Sequence, residues 1–214
     1  MLKVVGNRID EVIKKGVLNN KTVLEFGCVG MGEDDEYGGI NWIHGKAAKV
    51  AKKVVGLDLN REGVAKLRKK GYDIRYQNVE EKFDLHEKFD VVLVEEVFEH
   101  LSNVGIAMDN VRRHLKKGGY LVITTPHAQS VSFFMQRLFR DKISGVSITD
   151  HTHWYDESTL KTLLKRYNFK AREIWYVQPK AVHKTALSYA LRFVWLFFPQ
   201  RVGRNLCCIA QKMD

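Results

Sequence analysis

The chain has 214 residues, enough for one substantial domain with a full hydrophobic core. With 45% hydrophobic and 28% charged residues, its make-up excludes a disordered or fibrous chain. The formal net charge of +10 permits an anionic partner such as nucleic acid or a membrane surface. The lysines and arginines are nevertheless scattered through "GKAAKVAKK", "REGVAKLRKK", "VRRHLKK" and "LKTLLKR", at the polar positions of helical patterns, and read as solvated helix faces.

Three cysteines, two of them adjacent at Cys207 and Cys208, build neither a disulfide framework nor a metal knuckle. They read as small buried hydrophobes in a reducing compartment. The opening "MLKVVGNRIDEVIKKG" places acids and bases where a signal peptide needs an apolar run, so a cytoplasmic protein is expected.

The first strand-like run is "TVLEF", Thr22 to Phe26, which enters the glycine-rich turn "GCVGMG". Gly27, Gly30 and Gly32 miss the G-x-G-x-x-G spacing of a dinucleotide loop, and Glu25 stands just ahead of them. A carboxylate there repels a pyrophosphate, even though such loops can use a helix N-terminus to hold phosphate. It suits a ligand with positive charge near the turn, which Gly27 lets approach the backbone closely. An acidic insertion, "EDDEYGGINW", follows and is expected to cover the ligand, with Trp42 or His44 near it.

A helix is expected around 46–53, then the strand "KVVGLDL", which ends on Asp58. An acid in that position can accept both hydroxyls of a ribose. One acid before the turn and another ending the next strand together favour S-adenosylmethionine, a nucleoside with a sulfonium and an ammonium group. Further along come a helix at 61–70, the strands "DIRYQNV" and "FDVVLVEE", and a helix at 104–117. Ser102 or Asn103 can cap this last helix, and Gly118-Gly119 follows its basic final turn. The strand "YLVITTP" completes a rhythm that implies a parallel sheet with helices on both faces. Ligands in such folds collect at the carboxyl ends of the strands, beside the switch point.

After "YLVITTP" a long segment, about 127–155, reads as lid-like. "DESTLKTLLKRYNF" is a helix capped by Asp156, with Leu160, Leu163, Leu164 and Tyr167 on one face. Two further strands, "AREIWYVQ" and "NLCCIAQK", flank a helical insertion at about 180–204. Its apolar stretch is shorter than the ~20 residues a membrane span requires. It reads as a helix packed on the sheet edge or at a dimer contact. The alternative is an interfacial helix, peripheral at the membrane, with Lys184, Arg192, Arg201 and Arg204 near anionic headgroups.

The stretches "VLEFGCVG", "VVGLDLN", "FDVVLVEEVFEHLSN", "LKKGGYLVITTPHA" and "DHTHWYDESTLKTLLKRYNF" occur in one order that covers roughly Thr22 to Phe169. In them the chain resembles the class I S-adenosylmethionine-dependent methyltransferases, in the branch with E-V-x-E-H-L after the fourth strand. The resemblance implies a single α/β domain over 1–214, with a Rossmann-like doubly wound sheet of about seven mostly parallel strands, the last antiparallel. It also implies that Glu25, Gly27, Cys28 and the turn through Gly30 hold the methionine part, and that Asp58 holds the ribose. Leu59 would pack on the adenine, Asn78 and Val79 would lie at its edge, and Glu95 would lie beside the cofactor. The chain departs from the family at Val29, where glycine is usual, which bears on Gly30 and Gly32 more than on Glu25 and Asp58.

Methyl transfer to a hydroxyl needs alignment and a proton acceptor. Histidine suits the second role, and His100, His127, His151 and His153 all follow strand ends on the expected ligand side. If "EEVFEHL" begins a helix, Glu96, Glu99 and His100 share a face. With His151 or His153 they could bind a divalent metal, as in the similar arrangement of small-RNA 3′-end methyltransferases and some quinone O-methyltransferases. Many relatives with E-V-x-E-H have no known metal, so a metal is the lesser expectation. The sequence thus points to O-methylation of a small-molecule, lipid or glycan acceptor by a monomer or homodimer. RNA methylation and a non-catalytic, cofactor-binding partner subunit are the alternatives, while the loop spacing and Glu25 oppose a nicotinamide dehydrogenase.

Overall fold

Eight strands join into one sheet in the computed structural model, which describes residues 2–5, 8–30, 42–131, 150–178, 197–198 and 203–214. In chain order these are β1 (Leu2–Val5), α1 (Arg8–Lys14), β2 (Thr22–Phe26), α2 (Ile43–Ala48), β3 (Lys53–Asp58), α3 (Arg61–Lys69) and β4 (Ile74–Tyr76). They continue with β5 (Phe89–Glu95), a 3₁₀ turn (Phe98–His100), α4 (Val104–His114), β6 (Leu115–Pro126), α5 (Glu157–Arg166), β7 (Phe169–Gln178) and β8 (Asn205–Lys212). Spatially the strands run β1-β7-β8-β6-β5-β2-β3-β4. β8 is antiparallel to both of its neighbours and every other pairing is parallel.

Seven strands stand where the sequence pattern places them, with the last antiparallel. The eighth, β1, is an addition: Leu2 to Val5 pair with Trp175 to Gln178 on the outer side of β7. Two helix limits also differ from expectation. α2 begins at Ile43 and ends at Ala48, because Lys53 is drawn into the sheet opposite Thr22. α4 stops at His114, because Leu115 turns extended and pairs with Phe89. Asn103 occupies the start of α4 without a side-chain cap, whereas Asp156 and Thr159 form a reciprocal capping box at the start of α5.

Alternation along the central strands divides the core between two faces. Leu24, Phe26, Leu57, Val92 and Val94 pack with Met108 and Val111 of α4 and with Leu160 and Leu164 of α5. Val23, Val54, Val91 and Leu93 face the other way, onto Ile9 and Val12 of α1 and Ala47 of α2. Strands buried on both faces read as continuous apolar runs, which is why β2 and β5 were so legible. Cys28, Cys207 and Cys208 are all buried free thiols.

At the amino ends of the strands one carboxylate ties three of them together. Asp90 Oδ2 accepts from the Thr22 backbone N–H at 2.9 Å and from its hydroxyl at 2.8 Å, and Oδ1 accepts from Lys116 Nζ at 2.8 Å. Burial works against the charge of Asp90, but the Lys116 ammonium and the two Thr22 donors outweigh it and bring the pKa down to about 2. No described helix is long and apolar enough to cross a membrane. Residues 132–149 of the expected lid and most of the 180–204 insertion lie outside the described residues, as does Gly32.

Candidate active site

The strand order reverses between β2 and β5, so the crevice beyond their carboxyl ends is the switch point of the sheet. Glu25 stands in register with both Gly56 of β3 and Leu93 of β5. Asp58 and Glu95 lie two residues beyond those partners. Period-two alternation therefore sends Glu25, Asp58 and Glu95 to one face of the sheet, on three adjacent strand tips.

Immediately past β2, Gly27 has φ +73°, and a Cβ there would lie 2.5 Å from Val97 Cγ2. Glycine is required twice over, once by the left-handed backbone and once by the loop that leaves β5. Gly27 and Cys28 both donate their N–H groups to the Leu57 carbonyl, and Gly30 is again left-handed, with open space around it. Between them Val29 is buried, and its N–H donates to Asp58 Oδ2 at 2.8 Å. The valine thus enters the small core of Cys28, Val64, Leu67 and Ile74, while Asp58 anchors the backbone of the turn.

Asp58 uses its other oxygen, Oδ1, to accept from the Asn60 N–H at 2.8 Å. Asn60 caps α3 through Gly63, and Leu59 between them is 53% exposed, an apolar surface beside the acid. Asn78 is tied into its own loop. Its Oδ1 accepts from the Glu80 N–H at 2.9 Å and its Nδ2 donates to Glu81 at 3.1 Å, so the side chain closes a turn. Val79 is buried in the main core, and its carbonyl accepts from Asn110.

Glu25 is 2% exposed and accepts from, or shares a proton with, His44 Nδ1 at 2.8 Å. Burial pushes its carboxyl above the usual carboxylate range; the His44 hydrogen bond pulls it back and the nearby Asp58 charge adds to the rise. Burial likewise drives the Cys28 thiol upward, with Glu25 and Asp58 reinforcing it, so this cysteine is inert.

At the end of β5, Glu95 is buried and Glu96 is left-handed, with φ +52°. The chain then makes a 3₁₀ turn instead of an α-helix. This separates the residues that a helix would have aligned. Glu96 is turned toward β8, where its Oε2 accepts from Asn205 Nδ2 at 3.1 Å, and it leaves the expected metal-binding set. Glu99, His100 and His151 do converge, with their ligand atoms within 4.8 Å of one another.

The returning segment 150–153 is pinned onto this turn. Thr152 and His153 donate their N–H groups to the Glu99 carbonyl, and the Thr152 hydroxyl lies 2.6 Å from the Leu101 carbonyl. His100 Nδ1 lies 3.1 Å from Asp150, and its ring meets His151 edge-on at 4.7 Å. His151 Nδ1 is buried with no hydrogen-bond partner among the described residues. Burial and then the neighbouring His100 push the His151 pKa down, only partly opposed by Asp150. His153 is outside the cluster: its Nδ1 pairs with the Thr152 hydroxyl and its ring stacks on Tyr155. His127 is buried after β6, with Nδ1 3.1 Å from the Gly203 carbonyl and its ring against Tyr176. It lines a cavity of about 390 Å³ with Gln129, Asp156, Glu157, Lys161 and Tyr176.

Residues 7–174 match the family described as "Methyltransferase domain", about four-fifths of the chain. The chain belongs to the methyltransferase domain family. Among curated relatives, a ubiquinone biosynthesis O-methyltransferase of Bradyrhizobium sp. is 34% identical over 91 residues, 40% of this chain and 36% of that protein. The chain thus spans about a third of the length of the curated relatives it matches. Among solved structures, an S-adenosylmethionine-dependent methyltransferase of Mesorhizobium loti aligns over 95% of this chain and 98% of its own, with a TM-score of 0.61 and 15% identity. The N-methyltransferase NodS of Bradyrhizobium japonicum, in complex with S-adenosylhomocysteine, aligns over 97% and 89%, with a TM-score of 0.58 and 17% identity. The mostly parallel sheet with its antiparallel β8 is that of the methyltransferase fold.

Two features of this methyltransferase domain lay beyond the sequence. Gly56 makes room for its neighbours: a Cβ there would lie 2.5 Å from Cys28 Sγ and 3.0 Å from His44 Cε1. Tyr72 packs edge-on against both Trp42 and His44. An in-strand glycine two residues before an acid was the available signal, since such a glycine marks a close approach.

Proposed function

We propose that the protein transfers a methyl group from S-adenosylmethionine to an oxygen of a small-molecule, lipid or glycan acceptor. The observation that carries this reading is the pair of carboxylates, Glu25 and Asp58, on one sheet face at adjacent strand tips around the left-handed Gly27 turn. When bound, S-adenosylmethionine supplies an activated methyl on a cationic sulfur. Glu25 and the turn through Gly30 take its amino-acid end, Asp58 its ribose, and the exposed Leu59 its adenine. The adenine edge falls to the backbone of 78–79, since the Asn78 side chain is engaged in its turn.

His151 is the proton acceptor in this proposal. Its lowered pKa favours the neutral imidazole, which has a ring nitrogen lone pair to take up a proton. With the cofactor held there its methyl would be the group transferred to the acceptor oxygen, and His151 would take up the hydroxyl proton. The cavity beside His127 and Tyr176 gives room for an acceptor on the same edge of the sheet. Oxygen as the target is supported by the activity named for the curated relatives. Glu99, His100 and His151 together offer a carboxylate and two imidazoles, a donor set that fits a divalent transition ion. Such an ion would polarise an acceptor hydroxyl and would occupy His151, so it is an alternative to His151 acting as the base; comparing turnover with and without a chelator separates the two.

Calorimetric titration with S-adenosylhomocysteine and with NAD, on wild type and Asp58→Ala, tests the cofactor. Only the first ligand binds, and the variant binds it much more weakly; NAD binding would overturn the reading. One observation favours a second reading, RNA methylation. A groove of about 440 Å³ is lined by Lys82, Lys88, Arg112, Arg113 and Lys212, with Asp109 the single acid. The groove lies at the amino edge, however, and Lys88 and Lys212 donate to the carbonyls of Arg113, Arg112 and Leu115. Salt-sensitive, saturable retention of RNA with methyl incorporation would establish this second reading.

A further inference from the structure

Glu25 and His44 form a buried pair. They are 2% and 1% exposed, and Oε2 lies 2.8 Å from Nδ1. Trp42 stacks over the imidazole at 5.0 Å between ring centres and donates its indole N–H to the Cys28 carbonyl at 2.6 Å. Tyr72 closes the side, and the missing side chain of Gly56 leaves the floor open for His44 Cε1. Glu25 of β2, Trp42 at the N-cap of α2, Gly56 of β3 and Tyr72 just before β4 are thus arranged around one imidazole.

A carboxylate taken out of water takes up a proton unless a donor satisfies it. Burial acts on Glu25 in that direction, and the hydrogen bond from His44 is the largest opposing influence. A protonated Glu25 has no charge to offer an ammonium group. The carboxylate is faced by His44 from α2, Asp58 from β3 and the Cys28 thiol from the turn, so His44 is its one basic neighbour among these.

We propose that His44 is a positioning residue of the cofactor site, whose Nδ1–H holds the Glu25 carboxylate in one orientation toward a cationic ligand. This rests on the S-adenosylmethionine reading of the site. In this chain α2 supplies order to the turn, in which Val29 is committed to the core and, among the described residues, Gly27 and Gly30 are left-handed. The carboxylate selects the tautomer with the proton on Nδ1.

The test is calorimetric titration with S-adenosylhomocysteine, which retains the ammonium group, on the full chain and on His44→Leu, His44→Gln, Glu25→Gln and the double variant His44→Leu/Glu25→Gln. Thermal unfolding is followed alongside. His44→Leu weakens binding about tenfold or more, and His44→Gln, whose amide can donate from a similar place, recovers most of the loss. The double variant binds no more weakly than Glu25→Gln alone, because His44 acts through Glu25. Wild-type affinity in His44→Leu overturns the proposal, as does strict additivity in the double variant. If His44→Leu does not fold, His44→Gln decides: binding near wild type supports the proposal, and a loss equal to that of Glu25→Gln at unchanged melting temperature overturns it. A wild type that fails to bind S-adenosylhomocysteine overturns the cofactor reading and this inference together. Tight wild-type binding that His44→Leu leaves intact overturns the role of His44 alone.

Discussion

The amino and carboxyl edges of the same sheet treat their charged groups in opposite ways. At the amino edge, Asp90 meets three donors, and Lys88 and Lys212 cover the last carbonyls of α4. Asp90 has a cation and two neutral donors as partners, and is easier to ionise than a free carboxylic acid. At the carboxyl edge, Glu25 is harder to ionise, His151 is harder to protonate, and Glu96 holds a left-handed backbone. Buried charge and backbone strain of this kind cost free energy and persist where the surroundings enforce them. The contrast separates residues that hold the fold from residues kept ready for a ligand.

Substitutions at the two edges should therefore fail differently. The largest effect is expected for His151→Ala, which lowers the methyl-transfer rate about 10²–10⁴-fold, the usual contribution of a general base. S-adenosylhomocysteine affinity stays near wild type in that variant. In the wild type, activity rises with pH as His151 loses its proton. Since burial depresses its pKa, the midpoint of that rise falls below the ordinary histidine value of about 6.5 in a pH–rate profile. Asp58→Ala comes next, with an expected loss of cofactor affinity on the order of 10²-fold by titration. That substitution removes the proposed ribose acceptor and also releases the Val29 N–H.

Gly27→Ala tests the turn that connects the two carboxylates. The left-handed backbone alone costs about 1–3 kcal/mol, read as a lower melting temperature, and the overlap with Val97 adds to it. Adding Val97→Ala relieves the overlap and leaves the backbone term, so recovery should be partial. The smallest effect, on stability alone, belongs to the other edge. Asp90→Asn should cost about 1–2 kcal/mol at pH 7 and leave cofactor affinity unchanged. The folded-state pKa of Asp90 is depressed, so its contribution is complete above the unfolded value of about 3.9 and disappears as pH falls toward 2. Acid unfolding of wild type and variant should converge in that window.

What the sequence revealed follows the same division. Seven strands and the two acidic tips were legible because buried parallel strands are continuous apolar runs, and an acid at the end of such a run has no place in a core. Asp156 was legible as a helix cap because its signal is local. Glu96 was misplaced because i, i+3, i+4 spacing aligns side chains only on an α-helix, whereas this chain takes a left-handed residue and a 3₁₀ turn. Asn78 belonged to a turn that its own side chain closes. His44 sits on a helix of six residues, too short for periodicity to show which neighbour it faces. Its partner Glu25 lies across an insertion, and only the packing of Gly56 against both Cys28 and His44 reveals the relation.

β8 lies between β6 and β7, and β1 attaches beyond β7. Until β8 is inserted, β1 and β7 have no main-chain ladder to the five-strand body β6-β5-β2-β3-β4, so a growing polypeptide holds two unjoined pieces during translation. Closure of the sheet must await β8, which follows its seven companions in chain order, a long-range pairing of the kind that slows folding. Loss of those few residues would leave raw edges on both pieces, open to pairing with other chains.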